Sequence, residues 1–145
     1  MAWTSPFYRA AVATDQLGYV NYDNRSYVLD LSGIASDAAR KARAENSSLQ
    51  WMDTLLARHN IGLALIDTAH GSSVPSQWID VAELVPSGEV PGEETHRFIF
   101  FARRASDVDA VVCALNHFAP TLPSTVRLLR IGPAAADVSS CGGGM

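Results

Sequence analysis

The sequence predicts an α/β fold: a small three-layer sandwich on a mostly parallel sheet, with an antiparallel hairpin at one edge. Three observations carry that expectation. Apolar runs of strand length, at 9–14, 26–31 and 61–66, alternate with stretches whose apolar residues recur every three or four positions. Strands that alternate with helices imply parallel strands covered by helices. Further on, two strand-like runs, 78–85 and 97–103, are separated only by a loop rich in turn residues, which implies a hairpin.

The elements follow in order. Arg9–Thr14 stops at Asp15 and reads as a buried strand. Gly18 permits the positive φ of a tight turn. Tyr19–Tyr22 is a short extended piece, and Asp23-Asn24-Arg25 is a turn. Ser26–Leu31 is the next strand, ending at Ser32-Gly33. Ser36 caps a helix through about Glu45, with Ala35, Ala38, Ala39 and Ala42 at helical spacing. Ser47 and Gln50 fit a capping box for a second helix, whose apolar stripe is Leu49, Met52, Leu55 and Leu56. Asn60 tolerates the left-handed conformation that ends it. Ile61–Ile66 is a central strand that stops at Asp67.

Trp78–Val85 fits a short helix or a strand, and the turn residues after it (Pro86, Gly88, Pro91, Gly92) favour the strand. Arg97–Arg103 is its hairpin partner. Ser106 caps a helix through about Phe118, with Asp107 and Asp109 favoured in the first turn by the helix dipole. Pro120 and Pro123 stop it, and Thr125–Ile131 is the last strand. These boundaries give a single α/β domain over 9–132, an N-terminal extension over 1–8, and a tail over 133–145 expected to be disordered.

With 145 residues, 48% of them hydrophobic and 18% charged, the chain holds one domain with a core of its own. Lys plus Arg number 11 and Asp plus Glu 15, a net charge of −4, which argues against nucleic acid as a partner. No apolar run approaches the roughly 20 residues of a transmembrane helix, so no transmembrane segment is expected. The N-terminus does not read as a signal peptide. The two cysteines do not make a disulfide framework. Cys113, in an apolar stretch, reads as a small buried filler, and Cys141 lies in the glycine-ended tail.

Candidate chemistry centres on Asp15, Asp30 and Asp67, which stand at the ends of apolar strands. In parallel α/β sheets ligands bind at the carboxyl ends of strands, so the three carboxylates can converge on a divalent ion, with His70 as a neighbouring base. The dull reading is that they cap loops and helix N-termini. His59, His70, His96 and His117 lack zinc-ligand spacing, and no glycine-rich phosphate loop or nucleophile elbow is present. Val28-Leu29-Asp30-Leu31-Ser32-Gly33 lacks the glycine turn of a nucleotide-binding motif. Asn24-Arg25-Ser26 and Asn46-Ser47-Ser48 match the glycosylation pattern without a secretory context. No cofactor is implied.

One segment is familiar. Leu17-Gly18 with Tyr22, then Val28, Asp30, Leu31, Gly33 and Ile34 with an alanine-rich helix after them, resembles the opening of the soluble C-terminal domain of bacterial polytopic membrane glycosyltransferases. These enzymes use polyprenyl-phosphate-linked sugars and are similar to protein O-mannosyltransferases and arabinosyltransferases. The resemblance extends in order over about 10–103, with its specific residues in 11–36. It implies an extracytoplasmic domain, with a polytopic membrane protein or a cell-envelope glycan as partner. That family's catalytic acids lie in the membrane portion, and no position here matches them, so no catalytic residue carries over. Gly18, Tyr22, Asp30 and Gly33 are then fold determinants, with Asp30 accepting N–H bonds from the Gly18 turn or the Ser32-Gly33 loop. Two alternatives stand beside this non-catalytic accessory domain: a small stand-alone enzyme with a divalent ion at Asp15, Asp30 and Asp67, and a cytoplasmic interaction domain with exposed aromatics as its contact patch.

Overall fold

The computed structural model describes residues 7–16, 26–68, 73–86 and 97–130. Within them lie six strands: β1 (Val12–Thr14), β2 (Val28–Asp30), β3 (Leu63–Asp67), β4 (Ile79–Pro86), β5 (Phe98–Ala102) and β6 (Val126–Arg130). Three α-helices accompany them: α1 (Asp37–Glu45), α2 (Gln50–Arg58) and α3 (Val108–Phe118). The expected extended piece at Tyr19–Tyr22, the loop from Ser87 and the tail from Pro133 lie outside the described residues.

The strands form one sheet in the order β2-β1-β3-β5-β4-β6. Strand β1 pairs in parallel with both β2 and β3. The other three pairings, β3–β5, β5–β4 and β4–β6, are antiparallel. Parallel pairing is therefore confined to one half of the sheet. The expected hairpin exists, but it is not at the edge. Strand β4 runs in the direction of β3 without touching it. Strand β5 returns between them and bonds to both, and β6 takes the outer position. Strand β5 reads Phe-Ile-Phe-Phe-Ala, apolar at every position, which suits a strand bonded at both edges and covered on both faces but does not specify its neighbours.

Side chains alternate across the sheet and build a core on each side. Val12, Leu63, Leu65 and Phe100 pack with Val111, Val112, Leu115 and Phe118 of α3. Ala13, Leu29, Ala64, Ile66 and Phe101 pack with Ala39 of α1 and with Trp51, Met52, Leu55 and Leu56 of α2. Among the described residues the three layers are thus the α1–α2 pair, the sheet and α3. Strand β3 is buried at all five positions, the pattern of a central strand covered on both faces. Phe7 and Tyr8, assigned to the extension, pack on the α3 side, with the Phe7 ring 5.5 Å from Phe118.

Helix ends follow the sequence in part. Ser36 Oγ accepts the Ala39 N–H at 3.2 Å, and Asn60 adopts a φ of 52° after α2, both as expected. The Ser47–Gln50 capping box does not form. Leu49 occupies the N-cap without a side-chain bond, and the Gln50 amide instead pairs with Gln77 at 2.8 and 3.1 Å. Nor is Ser106 the cap of α3. The chain enters that helix through a 3-10 turn, Ala105–Asp107, in which the Asp107 carboxylate accepts the Arg104 N–H at 3.1 Å. Asp107 is the N-cap residue of α3, and its side chain makes no cap bond to that helix because both its oxygens are committed to Arg104. Cys113 is half-buried and disulfide-bonded, not the free filler expected from its apolar surroundings. Among the described residues no helix is long and apolar enough to cross a membrane.

Candidate functional site

Strands β1, β2 and β3 run the same way, so their carboxyl ends line one rim of the sheet. Among the described residues the buried polar side chains are Thr14, Asp30 and Asp67, with 0%, 3% and 1% of their surface exposed. All three end a strand of this rim. Alternation along β1, β2 and β3 puts them on one face, with Val12, Val28 and Leu65 on the α3 side.

The carboxylates of Asp30 and Asp15 have defined tasks there. Asp30 Oδ1 accepts the Ser32 N–H at 2.9 Å and the Ser32 hydroxyl at 2.5 Å, and its Oδ2 accepts the Ala35 N–H at 2.6 Å. The loop between β2 and α1 is folded around this carboxylate. Gly33 sits in it at a φ of 81°, and a Cβ there would lie 3.2 Å from the Arg40 backbone. Burial alone would raise the Asp30 pKa. The Ser32 hydroxyl and the N–H groups of Ala35, Ser32 and Ile34 outweigh it and hold the carboxyl below its ordinary value. Next to it, Asp15 Oδ1 accepts the Asp67 N–H at 3.0 Å and ties the end of β1 to the end of β3. Thr14 closes β1, its hydroxyl accepting from the Gln16 N–H at 3.0 Å and donating to the Gln16 carbonyl at 3.2 Å.

The sequence-predicted residues are therefore brought to one rim but not to one point. Asp15 and Asp67 meet through the Asp67 backbone, while Asp30 turns into its own loop. No three His, Cys, Asp or Glu side chains among the described residues are grouped so as to hold a metal ion. His70, Gly18 and Tyr22 lie outside the described residues. Ile34, part of the motif, is 87% exposed, so its place there does not come from core packing.

Two features escaped the sequence reading. At the far end of the sheet, Asp53 of α2 accepts the Trp78 indole N–H at 2.9 Å and the Arg103 Nε–H at 3.1 Å. A buried indole needs an acceptor, so Trp78 was a signal that some polar group must reach it. The second feature is a groove of about 520 Å³ along the outer side of α1 and α2. Its α1 wall carries Ala38, Lys41, Ala42 and Glu45, and its α2 wall Gln50, Trp51, Thr54 and Arg58. The alanines at 38 and 42, one helical turn apart, were the available signal. Read as an apolar stripe, they leave room where longer side chains would fill the space between helices.

Residues 2–109 match a family described as Domain of unknown function (DUF8728). No curated protein matches the chain, and no solved structure does.

Proposed function

The chain belongs to this family, and we propose that it is a non-catalytic accessory domain of a membrane glycosyltransferase-like protein, working on the extracytoplasmic side by contacting acceptor glycan or the membrane protein. The observation that carries the reading is the state of Asp30. The one carboxylate within the motif has its oxygens engaged by the hydroxyl and N–H groups of the following five residues. A carboxylate committed in this way is a scaffold element, because abstracting a proton or binding a cation would cost it those bonds. Asp15 is likewise engaged with the backbone of β3. The disulfide at Cys113 supports the placement, since disulfides persist in oxidising compartments and are rare in reducing ones. No observation favours the divalent-ion alternative, because the three aspartates do not form a ligand group.

Two measurements test the reading. Incubated with polyprenyl-phosphate-linked labelled mannose or arabinose and an acceptor glycan, the isolated chain is expected to transfer no label. Transfer above the level of a heat-denatured sample would overturn the non-catalytic role. Photo-cross-linking of the chain in its native cells, followed by mass spectrometry, is expected to capture a polytopic glycosyltransferase. A soluble enzyme as the sole adduct would overturn the membrane context.

A further inference from the structure

We infer that the groove between α1 and α2 binds a small polyhydroxylated anion, a sugar acid or a sugar phosphate, with Lys41 and Arg58 holding the negative group. The sugar part of this assignment rests on the reading above, and the anionic part rests on the groove itself.

The charges of the helix pair divide into two sets. Arg40 is paired with Asp37 at 2.7 Å. Arg43 donates to the Leu31 carbonyl at 2.6 Å and lies 5.7 Å over the Trp51 ring. Asp53 is occupied by Trp78 and Arg103. The charged residues that line the groove are Lys41, Glu45 and Arg58. None of these makes a hydrogen bond or ion pair with the described residues. Lys41 and Glu45 stand at i and i+4 with the lysine first, the weaker order for a helical pair, so each keeps its capacity for an outside group. Two cations and one carboxylate give this groove a charge of +1 on a chain whose total is −4. An anion is therefore drawn here against the overall field.

The remaining lining suits hydroxyl groups. The Thr54 hydroxyl donates to the Gln50 carbonyl at 3.0 Å and keeps lone pairs for an outside donor, the Gln50 amide is paired with Gln77 and retains one N–H and one lone pair, and Asn46 adds a second amide. The Asn46 amide nitrogen is held by the Ala42 carbonyl at 2.8 Å, which orients its free carbonyl oxygen without consuming it. Ala38 and Ala42 contribute only methyl groups, and that is why the groove is open. The volume of about 520 Å³ is in the range of small-molecule sites.

The test is an NMR titration of the full-length chain with three probes: a trigalacturonate, mannose 1-phosphate and neutral mannotriose. The expected result is saturable shifts confined to α1 and α2 with either or both charged probes, and none with the neutral one. Trigalacturonate alone identifies a carboxylate source, and mannose 1-phosphate alone a phosphate source. Arg58→Gln and Lys41→Gln are each expected to weaken binding roughly tenfold, the size of one charge-assisted hydrogen bond. Ala38→Leu, at an exposed position that tolerates a larger side chain, fills the groove and is expected to abolish binding with the fold intact. Equal binding of the neutral sugar, undiminished binding to Ala38→Leu, or no shifts with any probe at about 10 mM, the edge of measurable affinity, would each overturn the assignment. A chain that cross-links to a membrane glycosyltransferase yet binds no probe defeats the groove alone. One that binds a charged probe and also transfers sugar defeats the non-catalytic reading alone.

Discussion

The two ends of the sheet hold their carboxylates in opposite ways. At the rim formed by β1, β2 and β3, Asp30 is bonded only to groups within five residues of itself, all uncharged. At the far end, Asp53 is bonded to Trp78, 25 residues away, and to Arg103, 50 residues away, and the latter is a cation. The first arrangement shapes one loop. The second fastens the α2 layer to the sheet at the start of β4 and the end of β5. A neutral clamp needs its carboxylate ionised, so the rim is the end of the molecule that acid attacks through a local bond. The far end is sensitive to loss of a partner.

Asp30→Ala is expected to give the larger effect. It removes three hydrogen bonds to an ionised acceptor, each worth about 1.5–3 kcal/mol, and water at the exposed Ala35 recovers part of the loss. A net cost of roughly 3 kcal/mol lowers the thermal midpoint by about 10 °C for a chain of this size. The pH dependence sharpens the comparison. The folded pKa of Asp30 lies below the unfolded value of about 3.9, so its contribution is fully present above that value and is lost as pH falls through the folded pKa. Thermal unfolding followed by circular dichroism between neutral and acid pH should show the gap between wild type and Asp30→Ala closing in that window. A gap that persists undiminished at the acid end would mean that the clamp does not depend on charge.

Asp53→Ala follows, at about 2 kcal/mol. It leaves the Trp78 indole, 5% exposed, without its acceptor and Arg103 without its counter-charge. Arg103 and Asp53 keep 15% and 22% of their side-chain surface in contact with solvent, so water tempers the cost below that of a fully buried pair. A double-mutant cycle with Arg103→Met measures the coupling directly, expected near 1 kcal/mol. Zero coupling would show that Trp78 alone accounts for the effect and that the layers are not fastened by the ion pair.

The same contrast explains what could be read from the sequence. Local features were legible: the Ser36 cap, the left-handed Asn60 and the loop folded on Asp30 each involve residues within a few positions of one another. The buried run of β3 was legible because a central strand needs no alternation. Features set by distant partners were not. The place of β5 between β3 and β4 depends on which edges remain unbonded after the rest of the sheet has formed, and no local pattern encodes that. The capping box at Ser47 does not form: the helix begins at Gln50 with Leu49 as its N-cap, and the Gln50 amide is paired with Gln77, 27 residues away. Three strand-end aspartates looked alike in sequence, yet Asp15 reaches across to β3 while Asp30 turns back on its own loop. The disulfide at Cys113 was missed because an apolar stretch hides the difference between a packed thiol and a bonded one.

Gly62→Ala is the smallest of the expected effects and tests whether the far end is fastened at a second point. A Cβ on Gly62 would lie 2.7 Å from the Asp107 carboxyl, closer than van der Waals contact allows. That carboxyl caps the turn into α3 and is gripped by the Arg104 guanidinium at 3.0 and 3.2 Å, so it has little freedom to retreat. The added methyl therefore displaces the cap, at a cost of about 1 kcal/mol. Because Asp107 lies near Tyr8, whose pKa is raised by burial first and by the Asp107 charge second, the displacement should also relax Tyr8. The phenol's raised pKa makes its contribution complete below about pH 10 and lost as pH rises through the folded value, and in Gly62→Ala that contribution should be smaller and the folded phenol should ionise at lower pH. An ultraviolet titration of the tyrosines against wild type reads this directly. An unshifted profile with a lowered midpoint would place the damage in the β3 backbone instead, and the far end would then be held by Asp53 alone.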